Sequence, residues 1–268
     1  MKPLTISTCM AANMDFLTAG LADLIANRLS MPVDLRIDIP WQERERLLDA
    51  EEIDLCWICG LPYVWKADRA PGKIAPLAAP VMADGRYQDR PVYYSDVVVH
   101  RDSPFQTLAD MRGAVWAYNE PGSHSGYGVV RYALAARGET PGFFERWVES
   151  GAHQNSLRMI ARREVDGSAI DSTVLALELR NHPQLAPQIR VIDTFGPSPI
   201  PPWVVSTRLP GEVRLALRDL FIHLHADPAG QALLQKAGMA RFAGVGDEDY
   251  NPIREMARIG FQGEGPMP

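Results

Sequence analysis

The sequence predicts an α/β protein of two lobes, with the second lobe inserted into the first. Strand and helix patterns alternate over residues 4–59, which is typical of a largely parallel sheet with crossover helices. A β-rich run at 92–99 and a turn-rich segment at 196–202 enclose a further set of strands and helices. The 268 residues suffice for two domains of roughly 100–150 residues each. We therefore expect the first lobe to comprise 1–92 and 203–268, and the second 93–202.

The first lobe opens with two amphipathic helices and three short strands. Apolar residues recur at helical spacing over 16–29, and a charged amphipathic stretch covers 41–50. Pro62 indicates that another helix begins at the carboxyl end of the third strand, which is the edge where open α/β sheets bind ligands. The apolar or alternating runs that predict the strands are 4–9, 33–39 and 53–59.

In the second lobe, the runs 92–99, 114–118, 167–170 and 188–193 predict strands, and 126–137 and 156–163 predict helices. After the turn-rich segment, a strand is expected at 203–206. The remainder is helical in pattern at 211–237 and 251–259. Because this part has too few strands to form a lobe, we expect it to pack back on the first lobe.

Composition and charge exclude several classes of protein. Hydrophobic residues make up 46% and charged residues 22%, as in ordinary globular proteins. The formal net charge of −6 argues against nucleic-acid binding, which requires a concentrated basic surface. Residues 1–10 contain one lysine and no apolar segment of the signal-peptide type. The sequence as written therefore predicts a cytoplasmic protein, and a periplasmic one if a signal peptide precedes it.

The three cysteines do not predict a disulfide scaffold, because their number is odd. Cys56 and Cys59 have the spacing of a CxxC motif but lie in an apolar run. A zinc site would need two further ligands. We interpret them as a buried structural pair and expect neither a metal nor a cofactor.

The segment from Glu120 to Gly126 lies between a predicted strand and a predicted helix. Its glycines allow the backbone to approach a ligand closely, and the first amides of a helix have no partners within it. Such amides, together with the hydroxyls of Ser123 and Ser125 and the ring of His124, could hold an anion. The alternative is an ordinary N-cap, in which a serine hydroxyl accepts from its own helix.

Three further residues are candidates, each with a structural alternative. His153 follows a small-residue turn at the start of a helix and could equally be a capping or surface residue. Asp171 follows an apolar strand and could be a plain N-cap. Tyr93 belongs to a strand in which side chains alternate between the two faces.

Six segments of the chain occur in the same order as in the phosphate/phosphite/phosphonate substrate-binding proteins of ABC importers. The chain resembles this family over roughly residues 4 to 240. The resemblance rests on all six segments occurring in the order seen in the family. The segments are Leu61–Tyr63, Tyr93–Ser95, Asp102–Pro104 with Leu108–Gly113, Ser123–Tyr127, Ser150–His153 and Val165–Ser172.

This resemblance implies a type 2 periplasmic binding protein fold, with the ligand in a cleft between the lobes and a two-segment hinge near 92–95 and 200–206. We expect a ligand to close the lobes about that hinge. By the same resemblance, the ligand contacts are Tyr93, Ser123, His124, Ser125, His153 and Asp171. Tyr63, like Trp57 and Trp203, could add an aromatic wall to the site, and the alternative for each is a place in the core; we expect Tyr63 to contact the ligand from the first lobe. The family usually has Ser-Thr-Ser-Gly where this chain has a histidine at position 124, which puts ligand size and protonation preference in question.

The expected function is the capture of a small phosphonate- or phosphate-like oxyanion for an ABC importer by a monomer without catalytic residues. The partners would be that anion and an ABC permease, with no nucleic acid. One alternative is a cytoplasmic enzyme on the same fold, as in the menaquinone pathway or thiamine-pyrimidine synthesis. Another is a ligand-sensing protein. No nucleophile–base pair is evident by spacing, which disfavours the enzyme.

Overall fold

The computed structural model describes residues 2–139 and 141–262. The described chain forms two compact units, the first from residues 2–92 and Pro199–Asn251, the second from Tyr93–Ser198 and residues 252–262. The sequence analysis expected the boundaries after residue 92 and after residue 202. The second boundary lies four residues earlier than residue 202, where it was expected. The C-terminal helix from Pro252 on belongs to the second unit, whereas it was expected in the first.

The described residues form eleven strands and nine α-helices, and none of these helices has the length and apolarity needed to cross a membrane. The strands are β1 (Leu4–Thr8), β2 (Val33–Arg36), β3 (Leu55–Trp57), β4 (Ile74–Met82), β5 (Val92–His100), β6 (Val115–Tyr118), β7 (Arg146–Glu149), β8 (Gly167–Asp171), β9 (Ile189–Pro199), β10 (Trp203–Ser206) and β11 (Met239–Ala243). The helices are α1 (Asp15–Arg28), α2 (Trp41–Asp49), α3 (Gly60–Arg69), α4 (Val129–Ala135), α5 (His153–Ala161), α6 (Ser172–Asn181), α7 (Gly211–His223), α8 (Pro228–Ala237) and α9 (Asn251–Gly260).

The first unit contains a six-stranded sheet in the order β11-β4-β10-β3-β1-β2. β1 pairs in parallel with β2 and β3, as the alternating pattern predicted, and β10 joins antiparallel to both β3 and β4. The sequence analysis assigned no strand to β4 or β11. β4 carries Pro76 and Pro80, which cannot donate to a ladder, yet it pairs antiparallel on both sides.

The helical region predicted at 211–237 is two helices. The first ends at His223, and Asp227 caps the start of α8, because its side chain accepts from the amides of Ala229 and Gly230. Pro228 occupies the first position of α8, where a missing N–H costs nothing. The N-cap Asp227 followed by Pro228 therefore starts a second helix within a region that the helical periodicity predicted as one.

The cysteine contact in the structure is not the one the sequence suggested. Cys9 Sγ and Cys56 Sγ are 4.0 Å apart, whereas Cys59 is partly exposed at the start of α3. Cys9 and Cys56 meet because β1 and β3 are neighbours in the sheet.

The second unit contains a five-stranded sheet in the order β7-β6-β8-β5-β9. β6 pairs in parallel with β7 and β8, and β5 pairs antiparallel to β8. The core includes the buried Trp116 of β6, which stacks on Phe144 with ring centroids 4.6 Å apart.

Helix α9 belongs to the second unit from Pro252 on, whereas the sequence analysis placed it in the first lobe. Its Met256 packs against the core of the second unit. At its end, Arg131 Nε donates to the carbonyl oxygen of Gly260 over 3.0 Å. A Cβ at Gly260 would lie 2.9 Å from the amide nitrogen of Tyr132, so only glycine permits this approach to α4. The amphipathic pattern of α9 predicted a buried face but not the surface that buries it.

Candidate functional site

Four segments of the second unit end or begin at one edge of its sheet. β6, β7 and β8 run in the same direction, so their carboxyl ends share this edge. β5 runs the opposite way and pairs Ser95 with Asp171, which brings its beginning to the same edge. Four predicted site residues lie at this edge: Tyr93 near the start of β5, Asp171 as the last residue of β8, Ser123 in the segment after β6 and His153 in the segment after β7. Open α/β sheets bind ligands at such edges.

The segment after β6 begins as a π-helical turn, His124–Gly128, and continues as α4. Ser123 caps this turn, because its Oγ accepts from the amide of Gly126 over 3.0 Å. The N-cap alternative is therefore observed. Accepting this bond uses a lone pair of the hydroxyl and leaves its proton available to a ligand.

Ser125 and His153 form a buried pair. Ser125 Oγ lies 2.9 Å from His153 Nε2 and 3.4 Å from Ser123 Oγ. The exposed fractions of Ser123, Ser125 and His153 are 2%, 3% and 6%. Two serines from one loop and a histidine from the start of α5 thus form a connected set of polar groups.

His124 points to another part of the second unit. Its Nε2 lies 3.1 Å from Ser198 Oγ near the end of β9, and its ring centroid is 6.4 Å from that of Tyr93. His124, Ser198 and Tyr93 are all buried. The histidine that replaces the usual threonine therefore connects the serine loop to β9.

Asp171 is the N-cap of α6. Its Oδ1 accepts from the amides of Thr173 and Val174 and from the Thr173 hydroxyl, at 2.8, 3.4 and 2.7 Å. None of these bonds ends on Oδ2. Burial raises the pKa of this carboxyl to about 6, the bonds from Thr173 and Val174 oppose the rise, and the nearby Asp96 adds to it.

Burial also controls the protonation of the two histidines. Desolvation lowers the pKa of His124 and of His153 to about 4, so both imidazoles are neutral at pH 7. Each neutral ring offers one N–H and one lone pair. The cluster of Tyr93, Ser123, His124, Ser125 and His153 can therefore bind an anion through neutral hydrogen-bond donors.

Gly126 provides the space that this arrangement requires. A Cβ at this position would lie 2.0 Å from Asn119 Oδ1 and 3.2 Å from His153 Cε1. The amide of Asn119 and the ring of His153 therefore both pack against the Cα of Gly126.

We expect Gly126→Ala to lower the free energy of unfolding by about 1–3 kcal/mol, because the methyl group overlaps Asn119 and crowds His153. Chemical denaturation measures the change. Adding Asn119→Ala removes the overlapping atom and should restore part of the lost stability. Equal stabilities of Gly126→Ala and the wild type would contradict the close contact.

Tyr63 lies in the first unit, whereas the other six predicted site residues lie in the second. Its hydroxyl donates to Asp247 Oδ1 over 2.5 Å, and its ring meets Tyr250 edge-on with centroids 5.0 Å apart. Its role as a ligand contact stays a prediction.

Sequence reasoning missed Asn119 and Ser198. Ser198 lies in the Gly-Pro-Ser-Pro segment, which was interpreted as a turn but is the end of β9. The contact between Asn119 and Gly126 could not be predicted, because no periodic pattern in the sequence indicates it. Close approach to a glycine is visible only in three dimensions.

Comparison with known proteins identifies the class. Residues 6–250 match the model of the phosphonate periplasmic substrate-binding proteins of ABC transporters. The chain belongs to this family, whose members are substrate-binding transport proteins rather than enzymes, and the comparisons give no support to the enzyme alternative.

Among individual relatives, the phosphonates-binding periplasmic protein of Escherichia coli is 28% identical over 211 residues, which cover 77% of this chain and 60% of that protein. A binding protein component of an ABC phosphonate transporter from Pseudomonas aeruginosa has a TM-score of 0.84 at 20% identity, covering 97% of this chain and 87% of that one. PhnD1 from Prochlorococcus marinus, solved with methylphosphonate, has a TM-score of 0.83 at 18% identity, covering 96% and 97%. These structures confirm the predicted fold class.

Proposed function

We propose that this protein binds a small tetrahedral oxyanion of the phosphonate class and delivers it to an ABC permease. The observation that carries the proposal is the buried set of neutral donors at one sheet edge of the second unit, centred on Ser123, Ser125 and His153. Hydrogen bonds to a charged group contribute roughly 1.5–3 kcal/mol each, so several suffice for tight binding.

The proposal is supported by membership of the family and by the methylphosphonate bound to the Prochlorococcus marinus relative. We extend it to location and assembly: the protein acts in the periplasm as a monomer and meets the permease there. Lobe closure about the two predicted hinge segments also stays part of the proposal.

Isothermal titration calorimetry with methylphosphonate, phosphate and sulfate tests this function. We expect methylphosphonate to bind most tightly, and native mass spectrometry of the purified protein to detect an oxyanion of this class. The absence of binding for every tetrahedral anion would contradict the proposal. A planar aromatic molecule retained by the protein would also contradict it.

Asp171 supplies a prediction about selectivity. Asp171→Asn keeps the size and the capping oxygen but removes the ionisable group, so folding should be retained. We expect 2-aminoethylphosphonate, which carries an ammonium group, to bind more weakly, and methylphosphonate, which carries no positive charge, to bind more tightly. Calorimetry with both ligands measures the two changes.

The exposed Asp102→Asn is the control, because it removes one carboxylate elsewhere in the same unit. It should change neither affinity appreciably. If Asp171→Asn shifts both ligands in the same direction, Asp171 is a structural cap with no part in selection.

A further inference from the structure

An aromatic cluster packs against the π-helical turn that carries Ser125. Tyr127 lies in this turn, and its ring packs on that of Tyr118 at the end of β6, with centroids 4.7 Å apart. The ring also meets Trp147 of β7 edge-on at 5.4 Å. Residues 123–126 are buried, whereas Tyr127 is half-buried. Tyr127 therefore connects the turn to β6 and β7.

A second set of contacts reaches Tyr127 from the end of α9. The Phe261 ring lies 5.9 Å from the Tyr127 ring, centroid to centroid. The guanidinium of Arg131, from α4, lies 4.6 Å from the centre of the Phe261 ring and 5.5 Å from that of Tyr127. Its Nη1 donates to the Tyr127 hydroxyl over 3.2 Å, and its Nε donates to the carbonyl oxygen of Gly260 over 3.0 Å. Arg131 therefore joins the end of α9 to the turn by hydrogen bonds and by cation–π contacts.

The conformation of the turn needs such support. Two bonds of the π-helical type close it, from the amide of Gly128 to the carbonyl oxygen of Ser123 over 2.9 Å and from the amide of Val129 to that of His124. Such turns are rare and occur mostly as single turns at functional sites. Two of its five residues are glycines, which have the most backbone freedom to lose. A loop that is fixed before binding avoids the cost of ordering its donors around the ligand.

We infer that Phe261 and Arg131 are positioning residues, which fix the π-helical turn and its Ser125 hydroxyl by clamping Tyr127. Gly260 makes this clamp possible, because a Cβ there would lie 2.9 Å from a backbone nitrogen of α4, and only glycine lets the end of α9 lie so close. This approach brings the Phe261 ring over the guanidinium of Arg131. The end of α9 thus acts through the turn rather than on the anion.

Hydrogen–deuterium exchange of the ligand-free protein near neutral pH measures this support directly. In Phe261→Ala and in Arg131→Gln, we expect the amides of 123–129 to exchange several-fold faster, because the turn opens more often. The amides of β8, at the centre of the same sheet, should exchange at the wild-type rate. Phe261→Tyr keeps a ring for the guanidinium and should also keep the slow exchange.

Both variants should bind methylphosphonate roughly three- to tenfold more weakly, which corresponds to the loss of one aromatic or cation–π contact. Since both remove the same clamp, the double variant should bind about as weakly as the more weakly binding single variant. The matched control is Phe105→Ala, which removes another half-buried phenylalanine that packs on the core of this unit. Phe105 lies between β5 and β6, at the opposite edge of the sheet from the turn. Its loss should lower the stability but leave the exchange of 123–129 and the affinity close to the wild type.

The inference rests on the proposed function only in its affinity measurement. If the wild type binds no methylphosphonate, the proposed function is wrong, and the exchange rates alone decide the role of the clamp. Unchanged exchange at 123–129 in both variants would overturn the inference. So would faster exchange with unchanged affinity, or equal changes in Phe105→Ala, because the contacts would then be ordinary packing.

Discussion

Ser125→Ala is expected to weaken methylphosphonate binding by about 1.5–3 kcal/mol, or roughly 10- to 150-fold. The serine loses a donor to a charged group, and His153 Nε2 loses its contact at 2.9 Å. Calorimetry measures the affinity and chemical denaturation the stability. Because the hydroxyl is lost without a change of backbone, the effect on folding should be smaller than the effect on binding.

The pair is best tested as a double-mutant cycle with Ser125→Ala, His153→Ala and both together. If His153 acts through Ser125, the double variant should bind about as weakly as the more damaged single variant. Ser168→Ala is the control, since it removes a buried hydroxyl from the middle of β8. Unchanged affinity in Ser125→Ala would return the loop to a purely capping role.

Acidification from pH 7 to pH 5 is expected to destabilise the folded protein by about 2 kcal/mol. The pKa values of His124 and His153 are lowered from 6.5 to about 4, so the unfolded chain binds these protons more readily. Their contribution to stability is present above pH 6.5 and is lost as the pH falls toward 4. Equilibrium unfolding in denaturant at a series of pH values measures the slope.

Asp171 acts in the opposite direction. Its pKa is raised from 3.8 to about 6, so the folded state binds this proton more readily and gains stability as the pH falls through 6. One carboxyl therefore offsets about one of the two histidines, and the net slope is that of roughly one proton per molecule, about 1.4 kcal/mol per pH unit.

The variants separate these contributions. His153→Gln should reduce the slope below pH 6.5, and Asp171→Asn should increase it between pH 6 and pH 4. The exposed His223→Gln serves as the control. A stability that does not change between pH 7 and pH 5 in the wild type would mean that the histidines are not desolvated in the folded protein.

The sequence predicted most strands and helices of both units, but it did not predict β4, β7, β11 or α6, and it joined α7 and α8 into one helical region. Alternation and helical spacing are local properties, and they located β1, β2, β3, α1 and α2 to within a few residues. It also indicated the serine loop, because glycines and hydroxyls between a strand and a helix are typical both of an N-cap and of an anion site. β4 escaped prediction because its two prolines are not expected inside a strand.

The partners of each polar group were decided only by the tertiary structure. Ser125 and His153 are 28 residues apart, and His124 and Ser198 are 74 apart. Their contacts depend on which strands are neighbours and in which register, which no periodicity records. The same holds for α9, whose apolar face was evident but whose burial in the second unit depends on the fit of Gly260 against α4. Local sequence encodes which side of an element is buried, whereas the packing of distant segments decides what it is buried against.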